Sequence, residues 1–186
     1  MSTVEADFDR LALLDDEGWT TNNQYHDSLL KHVPEHCENA LEIGCGTGAF
    51  ARALARRCKR VVALDLSAEM IRVARSRSSQ FENLEFQLAD AMTWDFPQSH
   101  FDFVCSIATL HHLEQRELLL KIKDALKPRG VLVVLDLVQS DSLTERICDV
   151  VALGVSGGCG YFTTVDCSHR PKCGRRGSNT ANTIRI

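Results

Sequence analysis

Residues 39–50, Asn-Ala-Leu-Glu-Ile-Gly-Cys-Gly-Thr-Gly-Ala-Phe, contain the turn that decides the fold. The apolar run 40–43 is typical of a buried strand, and apolar residues at helical spacing begin at Phe50. Between the two stand three glycines, which allow the backbone to bend sharply and to approach a ligand closely. Such a turn exposes free amide groups at the start of a helix, where they favour negative charge. The glycines are Gly44, Gly46 and Gly48.

A second strand-like run, Val61–Leu64, ends in an acid. This acid, Asp65, lies 17 residues after Gly48, a gap that accommodates one helix and a short loop. A carboxylate at the end of a second strand can accept hydrogen bonds from the ribose hydroxyls of a nucleoside. In the alternative interpretation, Asp65 only begins a turn and Ser67 caps the next helix.

The glycine spacing, with Glu42 two residues ahead, differs from the Gly-x-Gly-x-x-Gly of dinucleotide-binding proteins. Together with Asp65 and the run Leu126-Lys127-Pro128-Arg129-Gly130, it makes the chain resemble class I S-adenosylmethionine-dependent methyltransferases. The resemblance implies an α/β fold with a Rossmann-like, doubly wound, mostly parallel sheet. It further implies S-adenosyl-L-methionine as the cofactor and methyl transfer to a small-molecule acceptor.

The resemblance also implies a set of cofactor-binding residues. The glycine turn and Glu42 would face the methionine portion, Asp65 the ribose and Asp90 the adenine. Two alternatives stay open, a structural carboxylate for Glu42 and a capping role for Asp90. Tyr25 and its neighbour His26 either touch the methionine end or only pack a helix onto the sheet. The full predicted set is Tyr25, Glu42, Gly44, Cys45, Gly46, Gly48, Asp65, Leu66, Met70, Asp90, Ala91 and Ser106.

A catalytic base is left open. The run from Ser106 to Leu113 resembles small-molecule methyltransferases and also certain RNA-modifying ones. Within it, His111 is a weak candidate for a general base, because an unperturbed imidazole titrates near neutral pH. However, paired histidines at a helix start often satisfy backbone groups instead. Methyl transfer needs a base only if the acceptor must lose a proton early.

Strand and helix patterns alternate from Leu41 onward, which predicts a parallel sheet with helices on both faces. Strands are expected near 39–43, 61–65, 84–88, 101–106 and 130–138, and helices near 48–58, 68–79, 114–127 and 141–153.

Three segments follow from this pattern. Residues 1–38 are expected to form an N-terminal segment with a lid helix, and 39–153 the cofactor-binding domain. Six of the eleven glycines lie between 154 and 177, so 154–186 are predicted to be a basic, disordered tail. The sheet would then lack the last two of the family's seven strands, leaving its fifth strand as an apolar edge.

Composition narrows the function classes. The net charge of −4 combines −8 over residues 1–165 with +4 over 166–186. The negative charge of residues 1–165 disfavours a nucleic-acid partner, although a local basic patch would permit one. With no export signal and no apolar run of membrane-spanning length, we expect a cytoplasmic protein with reduced cysteines. No metal site is predicted, because Cys159, Cys167, His169 and Cys173 lack zinc-knuckle spacing. The sequence does not indicate an oligomeric state.

Other functions are retained as alternatives. The unusual tail is compatible with a non-catalytic or inactive S-adenosylmethionine-binding isoform. The run that contains His111 also leaves an RNA-modifying methyltransferase open. A nicotinamide-dependent oxidoreductase is disfavoured by the glycine spacing.

Overall fold

Five parallel strands form the centre of the protein, in a computed structural model that describes Asp9 and residues 25–137, 148–156, 159–166 and 183–185. The strands are β1 (Asn39–Ile43), β2 (Arg60–Asp65), β3 (Leu84–Leu88), β4 (Phe101–Ile107) and β5 (Leu126–Leu137). They lie in the order β3-β2-β1-β4-β5, so the direction of winding reverses between β1 and β4. Open α/β sheets bind ligands at such a switch point. The predicted doubly wound, Rossmann-like sheet is confirmed.

The helices cover both faces of this sheet. They are α1 (His26–Leu30), α2 (Ala49–Ala55), α3 (Ala68–Ser76) and α4 (Gln115–Ala125), with a 3-10 turn at Leu110–His112. The three longer helices join β1 to β2, β2 to β3 and β4 to β5, as the alternating pattern predicts. None of the helices that the structure describes is both long and apolar enough to span a lipid bilayer. A cytoplasmic location stays a prediction of the sequence.

Alternate residues of the buried strands belong to apolar clusters on opposite faces of the sheet. Ala40 packs with the α2 residues Phe50 and Leu54 on one face. Leu41, the next residue along β1, packs with Leu118 of α4 on the other. Because successive side chains of a strand point to opposite faces, a strand covered by helices on both sides must be apolar throughout.

Beyond β5 the structure corrects the sequence-based expectations. The strands β6 (Cys148–Ser156), β7 (Cys159–Asp166) and β8 (Thr183–Arg185) continue the sheet as antiparallel neighbours. The helix predicted near 141–153 is therefore wrong for residues 148–153, and β5 is not an open edge. Disorder is likewise wrong for the parts of 154–186 that lie in β6, β7 and β8. Residues 138–147, 157–158, 167–182 and 186 lie outside the described residues, and the domain boundaries stay predictions.

The physical reason for these strands is visible in the sequence. Seven residues of β5 pair with β6, from Val131 opposite Gly154 to Leu137 opposite Cys148, which satisfies the edge that the parallel sheet would expose. The β-branched pair Val150 and Val151 favours a strand over a helix. The glycine-rich composition that suggests disorder also supplies the two glycines between β6 and β7, a common hairpin signal.

An acid at the start of β4 joins three separate parts of the chain. Asp102 accepts hydrogen bonds from the backbone N–H groups of Glu38 and Asn39, at 3.0 and 2.9 Å. Its two oxygens also lie 2.9 Å from the Lys127 ammonium group. Partial burial raises the pKa of Asp102, but these hydrogen bonds and the lysine charge outweigh it and lower the pKa below its ordinary value.

Replacing this acid should destabilise the fold. We expect Asp102→Ala to lower the free energy of unfolding by about 2 kcal/mol, because charge-assisted hydrogen bonds are lost. Since the folded pKa is depressed, the difference from wild type should shrink as the pH falls through that pKa. Chemical denaturation at neutral and acidic pH measures both effects. Asp124→Ala, which removes an exposed carboxylate, is the control, and equal losses in the two variants would contradict the assignment.

Candidate functional site

The glycine turn between β1 and α2 is anchored on the neighbouring strand. The N–H groups of Gly44 and Cys45 both donate to the carbonyl of Leu64, each at 2.9 Å. The N–H of Gly48 then closes the turn by donating to the carbonyl of Cys45, also at 2.9 Å. All three glycines have positive φ angles, of 74°, 52° and 79°. Residues that carry a side chain rarely adopt such backbone angles. The predicted turn is therefore held against β2 by its own backbone.

The three glycines differ in what surrounds them. A Cβ atom at Gly44 would collide with the side chain of Thr109, and one at Gly48 would lie 2.7 Å from the ring of Phe86. At Gly46, the nearest atom to such a Cβ would be the sulfur of Met70, 4.0 Å away. Gly44 and Gly48 are thus required by packing within the protein, whereas Gly46 faces open space where a ligand can approach the backbone.

Asp65, at the end of β2, links the glycine turn to the start of α3. One carboxylate oxygen accepts from the N–H of Gly46 at 2.8 Å, and the other accepts from the N–H of Ser67 at 2.9 Å. Burial raises the pKa of Asp65, although these backbone hydrogen bonds oppose the shift. Ser67 caps α3 by accepting from the N–H of Met70 at 3.1 Å, so the predicted cap is confirmed.

Glu42 is the most deeply buried acid of the site, with only 2% of the residue exposed. Its Oε2 atom has no hydrogen-bond partner among the described residues. Burial raises the pKa of Glu42 well above its ordinary value, the charge of Asp65 raises it further, and Arg52 opposes the shift. A buried oxygen without a partner is costly, so a polar ligand group that reached it would be bound favourably.

Arg52 supports the turn from α2, and sequence analysis missed it. Its guanidinium group donates to the carbonyl of Thr47 at 2.9 Å and lies 3.5 Å from the hydroxyl of Ser78. The segment 52–60 contains several arginines, and no motif distinguishes this one. The position of the Arg52 side chain depends on how α2 packs against the turn, and this packing cannot be predicted from the local sequence.

Exposed leucines line the carboxyl ends of β2 and β3. Leu66 is 41% and Leu88 is 55% exposed, although most large apolar residues of the described chain are buried. Leu88 is paired in register with Asp65, so the two lie side by side on neighbouring strands. Sequence analysis missed Leu88, and the available signal was an apolar residue ending the third strand.

Asp90 uses its side chain within its own loop. The Oδ1 atom accepts from the N–H of Met92 at 2.8 Å, and the carbonyl of Asp90 accepts from the N–H of Trp94, also at 2.8 Å. The capping alternative for Asp90 is therefore observed, and an additional ligand contact stays a prediction. The adjacent Ala91 is buried in the apolar cluster on the α4 face.

Other predicted residues serve packing in this structure. The hydroxyl of Ser106 is buried and donates to the carbonyl of Ile43 at 3.0 Å. The side chain of Cys45 lies in an apolar cluster, so only its backbone is available to a ligand. Tyr25 packs against the cluster that contains Phe50. The Phe50 ring also lies 5.0 Å from the ring of His26.

The described residues do not test the roles predicted for His111 and for the N-terminal segment. The side chain of His111 lies outside what the structure describes, so its role as a base stays a prediction. Near the N-terminus, Asp9 accepts from the hydroxyl of Ser67 at 2.5 Å, which brings this acid to the carboxyl end of β2. The lid role of residues 1–38 also stays a prediction.

Comparison with known proteins gives a consistent result. The sequence profile of the family described as "Methyltransferase domain" matches residues 41–134, which include the glycine turn, Asp65 and Asp90. An uncharacterized methyltransferase of Mycobacterium tuberculosis (strain H37Rv) is 36% identical over 124 residues, covering 66% of this chain and 62% of the relative. A demethylmenaquinone methyltransferase of Tropheryma whipplei (strain Twist) is 34% identical over 98 residues, covering 52% and 41%. The chain thus spans less than two thirds of these relatives' lengths.

A solved structure shares the fold. The N-methyltransferase NodS from Bradyrhizobium japonicum WM9, in complex with S-adenosyl-L-homocysteine, superposes with a TM-score of 0.64. The two chains are 26% identical, and the match covers 72% of each.

The differing surroundings of the glycines predict different effects of adding one methyl group. We expect Gly48→Ala to lower the free energy of unfolding by about 3 kcal/mol, from the collision with Phe86 and the positive φ together. Gly46→Ala should cost only about 1 kcal/mol, because its φ is strained but its Cβ would make only an ordinary contact, with the Met70 sulfur at 4.0 Å. Denaturant titrations of both variants test this difference. Equal losses would mean that Gly46 is packed as tightly as Gly48.

The buried carboxyl of Glu42 should also respond to pH. Because its folded pKa lies above the unfolded value of 4.5, its contribution to stability is complete at acidic pH and is lost as the pH rises towards the folded pKa. Glu42→Gln removes this titration, so its stability relative to wild type should increase with pH above that unfolded value. Unfolding free energies measured across the acidic and neutral range check the trend. A constant difference would show that Glu42 has an ordinary pKa.

Proposed function

Because the chain belongs to the class I S-adenosylmethionine-dependent methyltransferase family, we propose that it binds S-adenosyl-L-methionine and transfers a methyl group to a small-molecule acceptor. The observation that carries the proposal is the open space beside Gly46, at the switch point of the sheet. The buried carboxyl of Glu42 and the carboxylate of Asp65 belong to this same turn region. A backbone cradle with polar groups at its base fits a nucleoside that carries an amino-acid portion.

Several side chains are suited to different parts of the cofactor. The carboxylate of Asp65 accepts backbone hydrogen bonds from Gly46, Ser67 and Leu66. Its two oxygens together offer about four lone-pair sites, so acceptor capacity remains for a ribose hydroxyl. Leu66 and Leu88 offer apolar surface for the flat adenine ring. Asp90 would reach the exocyclic amino group of the adenine, in addition to capping its own loop. Glu42 would lie towards the ammonium group of the methionine portion.

The protein's contribution to methyl transfer is alignment. The cofactor supplies an electrophilic methyl group on a sulfonium, with a neutral thioether as the leaving group. The chain has to hold the acceptor in line with that methyl group, and orientation of this kind accounts for a large share of enzymatic rate enhancement. The anchored turn provides one fixed reference for alignment, because its backbone is bonded to β2 at both Gly44 and Cys45. We assign no general base.

The acceptor class is supported by charge and by a relative. The Tropheryma whipplei relative is named for a small-molecule acceptor, demethylmenaquinone. Residues 1–165 of this chain carry a net charge of −8, which disfavours a polyanionic acceptor such as RNA. A radiolabelled methyl-transfer screen with arms for small quinols, amines and structured RNA decides the question. Transfer to RNA alone would overturn the acceptor class but not the cofactor.

Cofactor binding can be tested directly with S-adenosyl-L-homocysteine. We expect wild type to bind it in a calorimetric titration. Asp65→Ala should weaken binding by about 10-fold or more, because charge-assisted hydrogen bonds to the ribose are lost and the turn loses its link to α3. Gly46→Val should abolish binding while the protein stays folded by circular dichroism. Asp95→Ala, which changes an exposed acid, is the control. Undiminished binding by Asp65→Ala and Gly46→Val would place the cofactor elsewhere.

A further inference from the structure

The charged and titratable groups around Glu42 come from every element that meets beneath the glycine turn. Asp65 of β2 and Arg52 of α2 both interact electrostatically with the Glu42 carboxyl. The thiols of Cys45 in the turn and Cys105 in β4 lie within electrostatic range as well. Asp9 adds a further acid beside Asp65.

The balance of these groups favours an uncharged Glu42. Its side chain is removed from water, and the nearby Asp65 is itself an acid. Arg52 is the cation that opposes them, and its guanidinium group also contacts the Thr47 carbonyl and the Ser78 hydroxyl. A carboxyl with an unpartnered buried oxygen is more stable with its proton than without it, because an isolated buried charge is costly.

A cationic ligand group would change this balance. S-adenosylmethionine and S-adenosylhomocysteine both carry an ammonium group on the amino-acid portion, which our proposed function places near Glu42. A positive charge within a few ångströms strongly favours the ionised form of a carboxyl group in a poorly solvated site.

We propose that cofactor binding is coupled to the ionisation of Glu42, so that the protein releases a proton to the solvent when the cofactor's ammonium group enters the site. The O–H bond of the Glu42 carboxyl breaks, the electron pair stays on the carboxylate, and the proton passes to buffer. This inference rests on the proposed function and adds to it a dependence of cofactor affinity on pH.

The proposed coupling predicts the direction in which cofactor affinity changes with pH. Where free Glu42 is protonated and bound Glu42 is ionised, raising the pH removes the proton that binding must displace. The affinity should therefore increase by up to about tenfold for each pH unit in that window. Above the pKa of the free protein the dependence should disappear.

Titration calorimetry in buffers of different ionisation enthalpy counts the released protons. For wild type and S-adenosylhomocysteine we expect about one proton per ligand at a pH where free Glu42 is protonated and bound Glu42 is ionised, because one group changes its protonation state. 5′-Methylthioadenosine, which shares the nucleoside but lacks the ammonium group, should bind with no proton release. Glu42→Gln should bind S-adenosylhomocysteine with no proton release and little pH dependence. Glu38→Gln, which changes an exposed glutamate, should behave as wild type.

The outcomes separate this inference from the proposed function. Failure of wild type to bind S-adenosylhomocysteine would overturn both. Binding without proton release, or equal release by wild type and Glu42→Gln, would overturn the coupling alone. Infrared difference spectra give an independent measurement, since the carbonyl band of a protonated carboxylic acid should disappear on binding in wild type and be absent throughout in Glu42→Gln. A band that persists in the bound wild type would also overturn the coupling.

Discussion

The fold of the binding region depends on two hydrogen bonds to a single carbonyl group. Leu64 accepts from the N–H groups of both Gly44 and Cys45, and these contacts fix where the chain leaves β1. From that point the backbone turns through three positive φ angles, which glycine adopts without strain, and a Cβ at Gly44 or Gly48 would also collide with a neighbouring side chain. The position of α2, and therefore of Arg52, follows from the turn.

The turn also determines how the acids of the site are arranged. Asp65 is held by the N–H of Gly46, and Glu42 is buried directly before the turn. Burial raises the pKa of Glu42 and the charge of Asp65 raises it further, so the neutral form of Glu42 is favoured. In the coupling that we propose, the unfavourable burial of the Glu42 carboxyl is what makes the site respond to a cationic ligand group.

Sequence alone predicted the parallel half of this protein well, because its signals are local. Apolar runs of four to six residues mark the strands, and glycine spacing marks the turn. The role of Arg52 was not predictable in this way, since it depends on how α2 packs against the turn. Leu88 was missed although it is an apolar residue at the end of the third strand. The antiparallel strands were missed because a glycine-rich composition is common both to hairpins and to disordered segments. The signals in favour of strands were the β-branched pair Val150 and Val151 and the edge of β5 that would otherwise lack a partner. Whether the predicted residues bind the cofactor is a separate question that binding measurements decide.

The pairing of β1 with β4 has a consequence for how the chain folds. Partners such as Ala40 and Phe103 are separated by 63 residues, so the centre of the sheet closes only after a long stretch of chain has been ordered. By contrast, β1, the glycine turn, α2 and β2 form one continuous unit that ends at Asp65, with much shorter loops to close. Pairings between distant residues slow folding more than local ones. The elements that would hold the nucleoside can therefore come together early. β4, whose partners on β1 are distant in sequence, joins the sheet late.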